Sequence, residues 1–163
     1  MRRLVSVGLV GLVGLVGLTL AACADGAEPV HGAATNPINV RIRTAGGTIE
    51  LENLDVARTP EAWARGLMRR ASLPEDGGMV FLFDGQTRAA FWMKDTLIPL
   101  SILFWQGDGR IIDILDMSPC RADPCPVYRA SAPYVGAIEM NRGAFERLGV
   151  EVGDTLEYRL LNE

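Results

Sequence analysis

The sequence predicts a mainly β fold, a single-domain sandwich or small barrel of about eight short strands with one or two short helices. Three observations predict it. Apolar runs of strand length recur from Ile38 to Leu161, and many alternate with polar residues at a period of two. Glycine, aspartate and proline separate these runs at turn spacing. Helix signals occur at only two places, near Thr59 and near Ala144.

The chain has 163 residues, 48% of them apolar, enough for one packed core. Residues 1–22 hold Arg2 and Arg3, no acid, and an apolar or glycine run from Leu4 to Leu20 broken only by Ser6 and Thr19. That is the pattern of an export signal. Leu20-Ala21-Ala22-Cys23 resembles the lipobox of bacterial lipoproteins, which implies cleavage before Cys23 and acylation of its thiol. The competing reading, an uncleaved membrane helix, falls just short of the roughly 20 residues that a span needs. The expected location is therefore extracytoplasmic, lipid-anchored to a bacterial membrane, on the periplasmic face if the cell has an outer membrane. Residues 23–37 are small, polar and proline-bearing, the composition of a flexible tether. The folded domain is expected over 38–163.

Without Arg2 and Arg3, the 16 basic side chains fall to 14 against 20 acids, a net charge of −6. Such a surface repels a phosphate backbone, so no nucleic-acid partner is expected. The single histidine, His31, sits in the tether, which argues against a histidine triad or a histidine-cluster zinc site.

Within the domain, Ile38, Val40 and Ile42 alternate with Asn39, Arg41 and Arg43, the mark of a half-exposed strand. Gly46-Gly47 turns the chain. Ile49 and Leu51 face inward on the return, and Leu54 and Val56 extend the pattern. Thr59 caps a helix, Pro60 suits its first position and Glu61 suits its positive end. Trp63, Leu67 and Met68 share one side of that helix, which ends near Met68. Arg65, Arg69 and Arg70 point elsewhere, as a solvated face or as a clamp for an anion.

Met79–Phe83 is a continuous apolar run, so a buried strand, with a turn signal at Asp84-Gly85. The next strand, Ala89–Met93, has Phe91 and Met93 on one face and Trp92 on the other. Pro99 breaks or edges the sheet. Ile102–Trp105 and Arg110–Met117 form a hairpin around Gly107-Asp108-Gly109. On its second arm Ile112, Ile114 and Asp116 share one face, and Ile111, Asp113 and Leu115 the other. Tyr134–Met140 is a strand. Ala144–Leu148 is a short helix stopped by Gly149, and Thr155–Leu161 is the last strand.

The stretch from Phe91 to Leu100 concentrates two aromatics, a methionine, a charge pair and a proline, and it holds Lys94, the only lysine in the chain. Neighbours on a strand point to opposite faces, so Lys94 and Asp95 do not serve one site together. An inward Lys94 needs an acid partner, for which Asp113 and Glu139 are the candidates. Cys120 and Cys125 close a short loop, and in an oxidising compartment a disulfide is the default.

Arg65-Gly66-Leu67-Met68-Arg69-Arg70, Gly78-Met79-Val80-Phe81-Leu82-Phe83, Phe91-Trp92-Met93-Lys94-Asp95-Thr96 and Ile98-Pro99-Leu100 together resemble the domain-of-unknown-function 192 family. The segment Cys120–Cys125 with Pro126 and Tyr128, and the ending Gly149–Asp154, extend the likeness over about Asn39 to Tyr158. The resemblance implies a mainly β domain with a helix near its start, and it carries no catalytic residues. This chain has Asp95 where the family usually has asparagine, and Ser101 where it often has aspartate.

Three functions compete at this level. A binding module for a small ligand or an envelope protein would use Trp92, Trp105 and Trp63 as flat surfaces, with Lys94, Asp95, Arg65 and Arg69 supplying charge. A carboxylate hydrolase would pair two of Asp95, Asp113, Asp116 and Glu139 as acid and base. A copper(I) site would use the thioethers of Met68, Met79, Met93, Met117 and Met140. The binding module is the expected role, with no cofactor and no metal.

Overall fold

The structure, a computed structural model, describes residues 38–161. The expected leader and tether, with Cys23 and His31, lie outside them. In chain order the elements are β1 (Ile38–Thr44), β2 (Gly47–Leu51), β3 (Leu54–Ala57), α1 (Pro60–Arg65), β4 (Gly78–Thr87), β5 (Phe91–Trp92), β6 (Leu100–Trp105), β7 (Ile111–Met117), β8 (Val127–Tyr128), β9 (Tyr134–Asn141), α2 (Ala144–Arg147) and β10 (Thr155–Leu160). The mainly β architecture is as expected, with two short helices.

The strands form a three-stranded sheet, β10-β1-β2, a five-stranded sheet, β3-β4-β9-β6-β7, and a two-stranded ribbon, β5-β8. Every pairing is antiparallel except β3 with β4, which are parallel and joined through α1. The five-stranded sheet is the middle layer. One face packs on the three-stranded sheet and α2 around Ile38, Val40, Ile42, Val80, Leu103 and Ile138. The other face carries Met79, Phe81, Leu100, Ile102, Phe104 and Ala137, covered by Trp63 and Leu67 from α1 and its following turn, and by Phe91 and Tyr128 from the ribbon.

Burial explains the sequence patterns. β6 lies between β7 and β9 with both faces covered, so all six of its residues are buried and it reads as an unbroken apolar run. β1 has one wet face, so it alternates. The Trp105 ring crosses β9 at Gly136, where a Cβ would fall within 2.2 Å of the indole; only glycine fits there.

Several boundaries differ from expectation. Leu54 and Val56 do not extend β2; they form β3 in the other sheet. Thr59 caps α1 as expected, its hydroxyl accepting from the Ala62 N–H, but the helix stops at Arg65 because Gly66 leaves helical geometry at φ 45° and ψ −133°. Asp84-Gly85 is not a turn. β4 runs through it to Thr87, with its register to β9 shifting between Leu82 and Thr87. The strand expected over Ala89–Met93 is only two residues long. On β7, Asp113 opposes Phe104 while Ile111 opposes Trp105, so one residue bulges out. Ile111 and Ile114 therefore share the inter-sheet core, and Ile112 joins Leu115 on the other side, contrary to simple alternation.

Candidate functional site

A cleft of about 290 Å³ opens between the end of α1 and the segment around β5, over β4 and β9. Its walls are the side chains of Trp63, Leu67, Phe81, Phe91 and Trp92, and its acid is Glu139. The aromatic walls are braced by one another: Phe81 meets Phe91 edge-on at 5.0 Å, and Trp63 lies 4.8 Å from Phe83. The Trp63 Nε1–H is shared between the carbonyl oxygens of Ala57 and Leu82, which ties the helix to the strands on either side of it.

Glu139 is the chemically unusual group. It lies in β9 between Met79 of β4 and Ile102 of β6, so its side chain shares the face of the second core. It is only 5% exposed. Burial pushes its carboxyl up to about 8, and no opposite charge pulls it back. Among the described residues no hydrogen bond or ion pair reaches that carboxyl. No fully enclosed side-chain polar atom there lacks a partner either, so the carboxyl oxygens are open to the cleft rather than sealed in protein. At neutral pH it is a neutral acid that can donate one hydrogen bond and accept others.

The expected site residues fall in different places. Trp92 is half exposed and lines the cleft. Arg65 lines it from α1. Lys94 does not. Its ammonium stands 3.1 Å from Asp123 and 5.8 Å from the centre of the Trp92 ring, so its partner is neither Asp113 nor Glu139. Asp123 belongs to the loop closed by the Cys120–Cys125 disulfide, whose Cα atoms are 5.6 Å apart. Asp95 sits at a turn with φ 54°; its carbonyl accepts the Arg69 N–H at 2.8 Å, and its carboxylate is 3.9 Å from the Arg69 guanidinium. Arg70 pairs with Asp55 of β3 at 2.5 Å. The three arginines therefore do not form a common clamp: Arg70 is a structural tie, Arg69 is a solvated turn residue, and only Arg65 reaches the cleft.

Trp105 is 2% exposed and is core, not a binding surface. The four candidate carboxylates are likewise dispersed. Asp113 accepts from the N–H and hydroxyl of Ser131, Asp116 accepts from Ser101, and Asp95 faces Arg69. Only Glu139 lines the cleft, so the cleft supplies one half of an acid–base pair. Met79, Met93 and Met117 fill the second core and Met140 the first, which explains them as packing. Sequence reasoning named Glu139 only as one acid among four. The sharper signal was its setting, a single carboxylate in an otherwise apolar strand from Tyr134 to Met140.

Residues 40–158 match the profile of the DUF192 family, described as Uncharacterized ACR. The chain belongs to the DUF192 family. Two solved structures share its fold at TM-score 0.69 each. One is a proposed transcription regulator from Sinorhizobium meliloti, 34% identical over 78% of this chain and 98% of its own. The other is a protein of unknown function from Novosphingobium aromaticivorans, 33% identical over 86% of this chain and 99% of its own. No curated protein matches the chain. The biochemical role of this DUF192 domain is thus not given by its relatives. The DUF192 motifs nevertheless converge on the cleft: Arg65–Met68 form one lip, Phe81 and Phe83 of β4 the base, and Phe91, Trp92 and Thr96 the other lip.

Proposed function

We propose that this DUF192 domain is a binding module of the bacterial envelope, tethered to a membrane by lipid on Cys23, and that its ligand enters the cleft over Glu139. One observation carries the reading. A buried carboxyl without a partner is costly unless something completes it, and this one opens into an aromatic-walled cleft of ligand size. The description of one neighbour as a transcription regulator does not extend to DNA contact here, because the acid excess of the mature sequence opposes a phosphate backbone.

The test is a small-molecule screen on the purified protein, read by thermal shift and repeated on Trp92→Ala and Glu139→Gln. A ligand that raises the midpoint of the native protein and does so less in both variants supports the site. Hits indifferent to both substitutions would move the site elsewhere. The anchor is tested separately: Cys23→Ser should release the protein from the membrane fraction, and retention there would count against lipidation.

A further inference from the structure

Resting on that reading, we infer that the ligand is a small organic cation, an alkyl- or arylammonium, with its charge on the Glu139 carboxylate and its apolar body between Trp92 and Trp63. Charge complementarity argues for it. The cleft is walled by aromatic rings, whose faces carry negative potential and attract a cation. Two donors along it are spent inside the protein: the Trp63 Nε1–H on the carbonyls of Ala57 and Leu82, and the Thr96 hydroxyl on the Lys94 carbonyl. Among the described residues, the Glu139 carboxyl is a buried group that no hydrogen bond or ion pair reaches. An anionic ligand could pair with that carboxyl only in its protonated form and would gain no attraction from the aromatic walls.

The charged groups around Glu139 are few. From α1 comes Arg65, which is solvent-exposed, so water and salt weaken its opposition to a cation. The flanking strands contribute Met79, Phe81 and Ile102, none of them charged. Lys94 is paired to Asp123 outside the cleft lining. Binding of a cation therefore ionises Glu139: the carboxyl proton leaves to solvent and the carboxylate pairs with the ammonium.

The experiment is titration calorimetry of the intact protein with benzyltrimethylammonium and benzylammonium, against phenylacetamide as a neutral aryl control. Buffers of different ionisation heat count the protons exchanged. Both cations should bind at pH 6.5 with release of roughly one proton per ligand, and affinity should rise roughly tenfold per pH unit before levelling near the Glu139 value. Glu139→Gln should lose most of that affinity and all of the proton release. Trp92→Ala, at a half-exposed rim position where folding is not at stake, should weaken both cations several-fold. If phenylacetamide binds as well as the cations and no proton is released, the charge assignment falls while the cleft stands. If none of the three binds, the cation inference is overturned, and a blank in the wider screen would overturn the cleft reading as well.

Discussion

Gly66 roofs Glu139. A Cβ at position 66 would stand 3.9 Å from the Glu139 Oε2 and 3.4 Å from the rim of the Phe81 ring. The residue that ends α1 thus also lines the cleft beside its acid. Its backbone, at φ 45° and ψ −133°, is one that side chains other than glycine rarely adopt.

Gly66→Ala should therefore cost mainly backbone strain, since the new contacts are ordinary van der Waals distances. About 1–3 kcal/mol of stability is expected to be lost. Urea denaturation checks it, with a lower midpoint and an unchanged slope. An unaltered midpoint would show that the turn after α1 relaxes freely, and Gly66 would then have no structural claim on the cleft.

Glu139 makes stability depend on pH in an uncommon direction. Its folded value, about 8, lies above the ordinary 4.5, so between those limits the unfolded chain loses a proton that the folded chain keeps. The resulting penalty is absent below pH 4.5, grows as pH rises, and is fully present above about 8. Glu139→Gln removes the ionisation. The variant should match the native protein at pH 4.5 and exceed it by roughly 3 kcal/mol at pH 7. Urea midpoints of the two proteins across pH 4.5 to 9 give the measurement. A gap that does not widen with pH would mean that Glu139 ionises freely in the fold.

Most of the strand inventory was legible because burial writes itself into sequence. β6 is apolar throughout since it is covered on both faces, and β1 alternates since one face is wet. The misplacements arose where local pattern is silent about partners. Leu54 and Val56 continue the alternation of β2, yet their hydrogen bonds go to β4. The β7 bulge inverts a face without any glycine or proline to announce it. The site was legible in its aromatic member, Trp92, and in Arg65. It was illegible in Glu139, because an acid on a strand reads as solvent-facing until the neighbouring strands are known to bury it.

The Cys120–Cys125 link and the Lys94–Asp123 pair hold one loop beside the cleft, but they should differ in weight. Closing so short a loop removes about 2 kcal/mol of unfolded-chain freedom. The ion pair is exposed, with 40% and 68% of its side chains accessible, and should be worth less than about 1 kcal/mol. Cys120→Ser with Cys125→Ser should thus lower the denaturation midpoint clearly, and Lys94→Ala barely. Equal effects would mean that Lys94 acts through its contact with Trp92 rather than as a surface charge.

Ser101 meets an acid across the ladder rather than carrying one itself. Ser101 on β6 faces Asp116 on β7 in direct register. Its hydroxyl donates to the Asp116 carboxylate at 2.5 Å and accepts the Gly143 N–H at 2.8 Å. The carboxyl that meets Ser101 is thus the one across the ladder, not Asp95, which faces Arg69 instead. Ser101→Asp should then press a second carboxylate, from a position only 2% exposed, against Asp116, whose own side chain is 56% accessible and 3.5 Å from Arg142, costing about 1–3 kcal/mol. Adding Asp116→Ser exchanges the two groups across the ladder and should recover most of the loss, because one acid and one hydroxyl again face each other. The coupling in a double-mutant cycle should exceed about 1 kcal/mol. Additive losses would show that the hydroxyl and the carboxylate stabilise the start of α2 independently.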